Sequence, residues 1–107
     1  MDKEKQRIKI AEVCGYTHVR IVKAIEGPPD IGIGHHPTEP HSVPDYLNDL
    51  NAMHKVEKIL KEKRLFFKYH LALSALPQFQ GNNHLNTFHA TAEQRAEAFL
   101  RTLDLWE

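Results

Sequence analysis

The chain has 107 residues, 41% hydrophobic and 26% charged, and its fourteen basic residues are balanced by fourteen acidic ones. That length makes one domain, spanning 1–107, with enough apolar residues to bury a core without disulfides or metal. Zero net charge supplies no electrostatic footprint for non-specific nucleic-acid binding, so DNA is not an expected partner. The single cysteine, Cys14, excludes an internal disulfide and fits a reducing compartment. The opening residues carry charges without an apolar run, and no segment is long enough to span a bilayer. The expectation is a cytoplasmic protein with no membrane association.

Residues 2–15 predict a helix capped by Asp2, with Gly15 at the left-handed C-terminal position. Ile8, Ala11 and Cys14 share its face, flanked by Ile10 and Val13. Cys14 is read as a half-buried core residue, because a catalytic thiol needs an activating base beside it. In "THVRIVKAI", Thr17, Val19 and Ile21 alternate with His18, Arg20 and Val22, a strand signal. Val22 on the second face predicts a strand covered on both sides. Residues 26–43 are rich in proline, glycine and histidine and read as a long loop, with a short strand near 31–33.

"VPDYLNDLNAMHKVEKILKEK" predicts a second helix with Pro44 in its first turn. Tyr46, Leu50, Met53, Val56 and Leu60 form its main stripe. Leu47, Ala52 and Ile59 widen that stripe beyond an ordinary amphipathic face, so the helix is buried on more than one side. Asp49 falls inside the arc and Glu57 at its edge. "RLFFKYHLALSALP" is read as a helix from its length, its Ala and Leu content and Pro77, with a strand as the competing reading. "QFQGNNH" reads as a turn and "LNTFHA" as a short strand. In "HATAEQRAEAFLRTLDLW", Thr91 and Gln94 have capping-box spacing. Ala92, Ala96, Phe99, Leu100 and Leu103 make one stripe, and Glu97 and Arg101 form an outward i,i+4 pair. Leu105 and Trp106 are read as folding back onto the core. An intermolecular contact, and so a homo-oligomer, is the alternative. Together these elements predict an α+β fold: a three-layer α/β/α sandwich whose small sheet is covered by helices on both faces.

Two stretches, "VPDYLNDLNAMHKVEKIL" and "HATAEQRAEAFLRTLDLWE", resemble the phage ABA sandwich domain, a small family of phage and prophage genomes. "KIAEVCGYT" is similar to that family's opening helix and its turn into a strand, where a Trp often stands in place of Tyr16. The matching parts cover roughly half the chain; the middle loop and "RLFFKYHLALSALPQFQGNNHLN" lie outside them. The resemblance implies helices on both faces of a small sheet and a phage origin. It implies no reaction, because a fold name describes a shape.

Three groups of residues are candidates for chemistry. "GHHPTEPH" places His35, His36 and His41 near Glu39, weak candidates for zinc ligands. Irregular spacing and the adjacency of His35 and His36 argue for an exposed loop instead, so no metal is expected. "DYLNDLNAMH" places Asp49, Asn48 and Asn51 where the helix meets the long loop, a polar pocket in the functional reading. In the structural reading, Asp45 and Asp49 favour the helix start and Asp49 pairs with Arg20, Arg64 or Arg95. The start of the last helix, at Thr91, offers free N–H groups for an anion with Arg95 assisting; simple capping by Thr91 is the competing reading. No dinucleotide fingerprint, phosphate loop, Cys-x-x-Cys or nucleophile elbow occurs, so neither a cofactor nor an enzymatic activity is expected. The leading expectation is a phage accessory protein in the host cell cytoplasm that binds a host protein, such as a defence component, without catalysis. The alternative is sequestration of an anionic small molecule such as a nucleotide signal, with Arg20, Asn48, Asp49, Asn51, Thr91 and Arg95 as candidate ligand-binding residues.

Overall fold

The computed structural model describes residues 1–22, 31–76 and 90–107. The turn expected over 78–84, the strand expected over 85–90 (except Ala90) and the 26–30 part of the long loop lie outside the described residues. The fold is α+β, with four helices and one small antiparallel sheet among the described residues. The elements are α1 (Lys3–Val13), β1 (Thr17–Val22), β2 (Ile31–His35), β3 (Ser42–Val43), α2 (Leu50–Glu62), α3 (Phe66–Ser74) and α4 (Ala92–Thr102). The sheet order is β1-β2-β3. No helix among the described residues is long and apolar enough to cross a membrane.

Helix ends follow local chemistry closely. Asp2 accepts from the Lys5 amide at 2.8 Å. The capping box at α4 closes in both directions: the Gln94 amide donates to Thr91 Oγ1 at 3.1 Å and the Thr91 amide to Gln94 Oε1 at 2.9 Å. Three helices end in the same Schellman arrangement. At α1 the Gly15 and Tyr16 amides donate to the Glu12 and Ala11 carbonyls, both at 3.1 Å. At α2 Arg64 and Leu65 donate to Lys61 and Leu60, and at α4 Asp104 and Leu105 donate to Arg101 and Leu100. The left-handed residue is Gly15 in the first case (φ 101°), as the sequence predicts, but Arg64 (φ 60°) and Asp104 (φ 58°) in the others.

The second helix starts later than the sequence suggests. Asp49, not a residue before Pro44, is its N-cap, with Oδ1 accepting from the Asn51 and Ala52 amides at 3.0 and 3.3 Å. Residues 46–48 form a turn closed by the Asn48 and Asp49 amides on the Asp45 carbonyl. The turn lets Tyr46 and Leu47, adjacent in sequence, both reach the core. Leu50, now the first helical residue, is left exposed. The 66–74 segment is a helix that buries Tyr69 and Leu73 one turn apart.

α1 lies against β1 and also against α4, and α4 in turn packs on α2 and α3. Ala96, Ala98, Phe99 and Leu100 of α4 are fully buried. Leu105 and Trp106 are partly buried against this core, and the Arg101 guanidinium sits 4.8 Å from the centre of the Trp106 ring. The Glu97–Arg101 pair closes at 2.9 Å.

The sheet differs from the alternation read in the sequence. One extra residue between Thr17 and Arg20 makes a bulge, with His18 in the left-handed region (φ 55°). Val22 is not covered: it is 43% exposed, opposite Ile31, itself 55% exposed. On α1 the buried face centres on Gln6, Arg7, Ile10 and Ala11, leaving Ile8 half-buried. The reason is Arg7. Its Nη2 donates to the Val43 carbonyl at 2.6 Å and its Nε to the Pro44 carbonyl at 3.0 Å. Gly32 lies under this side chain, where a Cβ would stand 2.8 Å from Arg7 Nη2 and 2.9 Å from Val43 Cβ.

Two stability changes follow. Gly32→Ala should cost about 1–3 kcal/mol, the usual penalty of overpacking. Arg64→Gly should add about 0.5–1 kcal/mol by removing the steric penalty of a side chain at positive φ. Urea unfolding of both variants against wild type measures each effect, and their opposite signs make the pair self-controlling.

Candidate functional site

A cavity of about 330 Å³ opens where α1 ends, the β2–β3 connection turns and α2 begins. Cys14 and Tyr16 line it from the α1–β1 junction, and His36, Glu39 and Pro44 from the β2–β3 side. Tyr46 and Asp49 come from the turn, and Asn51, Lys55 and Ile59 from α2. Its size is in the range of small-molecule and anchor-residue pockets. This is the junction of helix and loop where the functional reading of the sequence puts a polar pocket; two of its candidate residues, Asp49 and Asn51, line the cavity, and Asp49 also caps α2 as the structural reading has it.

The walls are held by specific bonds. His36 Nδ1 accepts from the Thr38 and Glu39 amides at 3.1 and 3.0 Å. That pattern puts the proton on Nε2, which donates to the Cys14 carbonyl at 3.0 Å. The His36 ring also packs on Tyr16, centroids 4.9 Å apart. Gly15 permits this approach, since a Cβ there would meet His36 Nε2 at 3.0 Å. Gly34 does the same for Tyr16, whose ring would lie 3.3 Å from an added Cβ. The glycines of "GIG" thus serve close packing of the strand against its neighbours.

Burial pushes the Cys14 thiol up, offset in part by a hydrogen bond with Tyr46. Burial also raises both phenols. The Glu39 carboxylate adds to the shift at Tyr16, and the Cys14 sulfur to that at Tyr46, which lies far above the usual range. Cys14 and His36 both line the cavity, yet the pair is not arranged for thiol catalysis. Both imidazole nitrogens are occupied by backbone groups, and the thiol is shifted away from the thiolate.

The other predicted residues lie elsewhere. Arg95 is nearly buried and forms an ion pair with Glu57, Nη1 to Oε2 at 3.1 Å, while its Nε donates to the Ala90 carbonyl at 3.1 Å. His54 Nδ1 meets the other Glu57 oxygen at 3.1 Å. The Tyr69 hydroxyl is buried beside this pair without a hydrogen bond of standard geometry. Thr91 is engaged in its own capping box. Asn48 donates to Asp45 Oδ2 at 3.0 Å and lines a smaller cleft of about 180 Å³ on the α1 side. Arg20 is exposed on β1. These cations and helix starts do not converge on one anion site.

The three loop histidines separate as well. His36 turns to the cavity, while the exposed His35 stacks edge-on with His41 (5.0 Å) and with His18 (5.6 Å). Among the described residues, no group of three or more His, Cys, Asp or Glu side chains is arranged to hold a metal ion. The Glu57–Arg95 pair, Lys55 and the structural role of His36 were not read from sequence. Glu57 at the edge of the apolar arc was the available signal for the first.

Comparison with known protein families, characterised proteins and solved structures finds no match to this chain.

The separation of the histidines carries a prediction. His36→Ala should cost about 1–2 kcal/mol, because one partly buried bond is lost together with the single acceptor shared by two amides. It should also speed hydrogen exchange at the Thr38 and Glu39 amides. His35→Ala and His41→Ala, at exposed positions, should each stay within about 0.5 kcal/mol of wild type. Urea unfolding with amide exchange on the three variants tests the contrast.

Proposed function

We propose that the protein acts by non-catalytic binding and that the cavity between α2 and the β2–β3 connection receives part of a protein partner. The observation that carries this reading is the cavity itself. Its walls are set in advance by the His36, Asp49 and Arg7 bonds, so little ordering remains to oppose association. Apolar surface from Pro44, Val56 and Ile59 lies beside polar groups in the same cleft, the mixture that anchors a partner's side chain. The resemblance to the phage ABA sandwich family supports a phage or prophage origin, a host protein as the target and the host cytoplasm as the place of action. The occupied state of both His36 ring nitrogens supports a site that binds without reacting. Sequestration of an anionic nucleotide is the weaker reading, because Arg95 is bonded to Glu57 and the α2 and α4 amides are engaged by their own caps.

Asn51 is exposed and lines the cavity, so Asn51→Phe narrows its mouth without entering the core. Untagged wild type and Asn51→Phe, matched by circular dichroism and melting temperature, are compared in capture from host lysate with native mass spectrometry. A host protein retained by wild type and lost from the variant is the expected result. Equal recovery by both forms would refute the proposal, and so would a bound mass of only a few hundred daltons.

A further inference from the structure

We propose that the group received by this cavity is an organic cation, the ammonium or guanidinium of a basic side chain on the partner. This inference rests on the preceding reading and names the chemistry of the same site. Two carboxylates, Glu39 and Asp49, line the cavity against one ammonium, Lys55. Asp49 is fixed by two capping bonds that both end on Oδ1. The Glu39 backbone is fixed by its N–H, which donates a hydrogen bond to His36 Nδ1. Neither Glu39 nor Lys55 takes part in an ion pair among the described residues. Tyr16 and Tyr46 supply aromatic surface to the same walls, and aromatic faces attract cations.

The chemistry also disfavours an anion. The first amides of α2, the donors an anion would use, are held by Asp49. His36 offers the cavity no free N–H, because its one proton goes to the Cys14 carbonyl. Lys55 is then a competitor for the incoming cation. Its removal should tighten binding, whereas it would weaken an anion site.

The test uses the intact protein and amide chemical shifts of Cys14, Tyr16, Asn51 and Lys55. Probes are acetylated, amidated Gly-Arg-Gly and Gly-Lys-Gly, with Gly-Gln-Gly and Gly-Glu-Gly as neutral and acidic controls and spermidine as a free amine. The basic peptides should shift these signals saturably and the controls should not. Glu39→Gln and Asp49→Asn, the latter keeping a competent N-cap, should each weaken binding about fivefold, the worth of a partly exposed ion pair. Lys55→Gln should strengthen it by a similar factor. Equal response to Gly-Gln-Gly, preference for Gly-Glu-Gly, or weakening by Lys55→Gln overturns the inference. Spermidine binding more tightly than either peptide overturns the protein source of the cation. Loss of the partner with Asn51→Phe alongside no response to the basic peptides sinks this inference alone. A cation response with no captured partner sinks the protein-partner reading alone.

Discussion

The guanidinium of Arg7 ties three elements together at the point where the chain leaves the sheet. Among the described residues no strand lies beyond the Val43 and Pro44 carbonyls, and a buried carbonyl without a donor is costly. Arg7 supplies two donors from a rigid planar group, which matches two successive carbonyls as an ammonium would not. Gly32 is the counterpart, because only a residue without Cβ leaves room for the side chain to cross β2. Once Val43 and Pro44 are held, the turn at Tyr46 and the cap at Asp49 follow in the next few residues. The cavity is therefore built outward from a contact that it does not itself contain.

The helical half depends on a different device. Ala96 and Ala98 on α4 are fully buried, and such small side chains let α1, α2 and α3 approach one helix together. Close approach leaves little solvent, so the Glu57–Arg95 pair between α2 and α4 is held in a dry setting. Removing one partner of such a pair strands the other charge, at a cost of about 3–5 kcal/mol. Tyr69 from α3 brings its hydroxyl to the same place. Three helices thus meet on one polar knot, where directional bonds constrain their packing as apolar contact alone does not.

Much of the fold was legible in the sequence because it is set locally. Asp2, Gly15 and the Thr91–Gln94 box each act within one helical turn, and each lies where short-range chemistry puts it. The helix at 66–74 followed from length and composition. Long-range pairings were not legible. A helix pattern assigns Arg7 to solvent, and nothing near it in sequence announces carbonyls 36 and 37 positions away. The start of α2 was misplaced because Pro44 suits a first helical turn, whereas burying Tyr46 and Leu47 together takes a separate turn there and moves the cap on to Asp49. At the helix–loop junction the sequence offered both a polar pocket and a helix start; Asp49 caps α2 and also lines the cavity with Asn51, but Arg95 and Thr91 were assigned to a ligand they do not face together. Their partners come from other parts of the fold.

The same local rules shape what the cavity offers a partner. Each helix start near a potential anion site carries its own side-chain cap, and each cap occupies the amides that would have bound a phosphate. The imidazole closest to the opening is likewise turned onto backbone groups. What lines the opening beyond these is side-chain chemistry: the Glu39 carboxylate, the Lys55 ammonium, the Asn51 amide and the Asp49 carboxylate that also caps α2. Capping that stabilises the fold therefore also bears on the sign of the site, because the α2 amides an anion would use are already taken by the Asp49 carboxylate, which lines the cavity with Glu39.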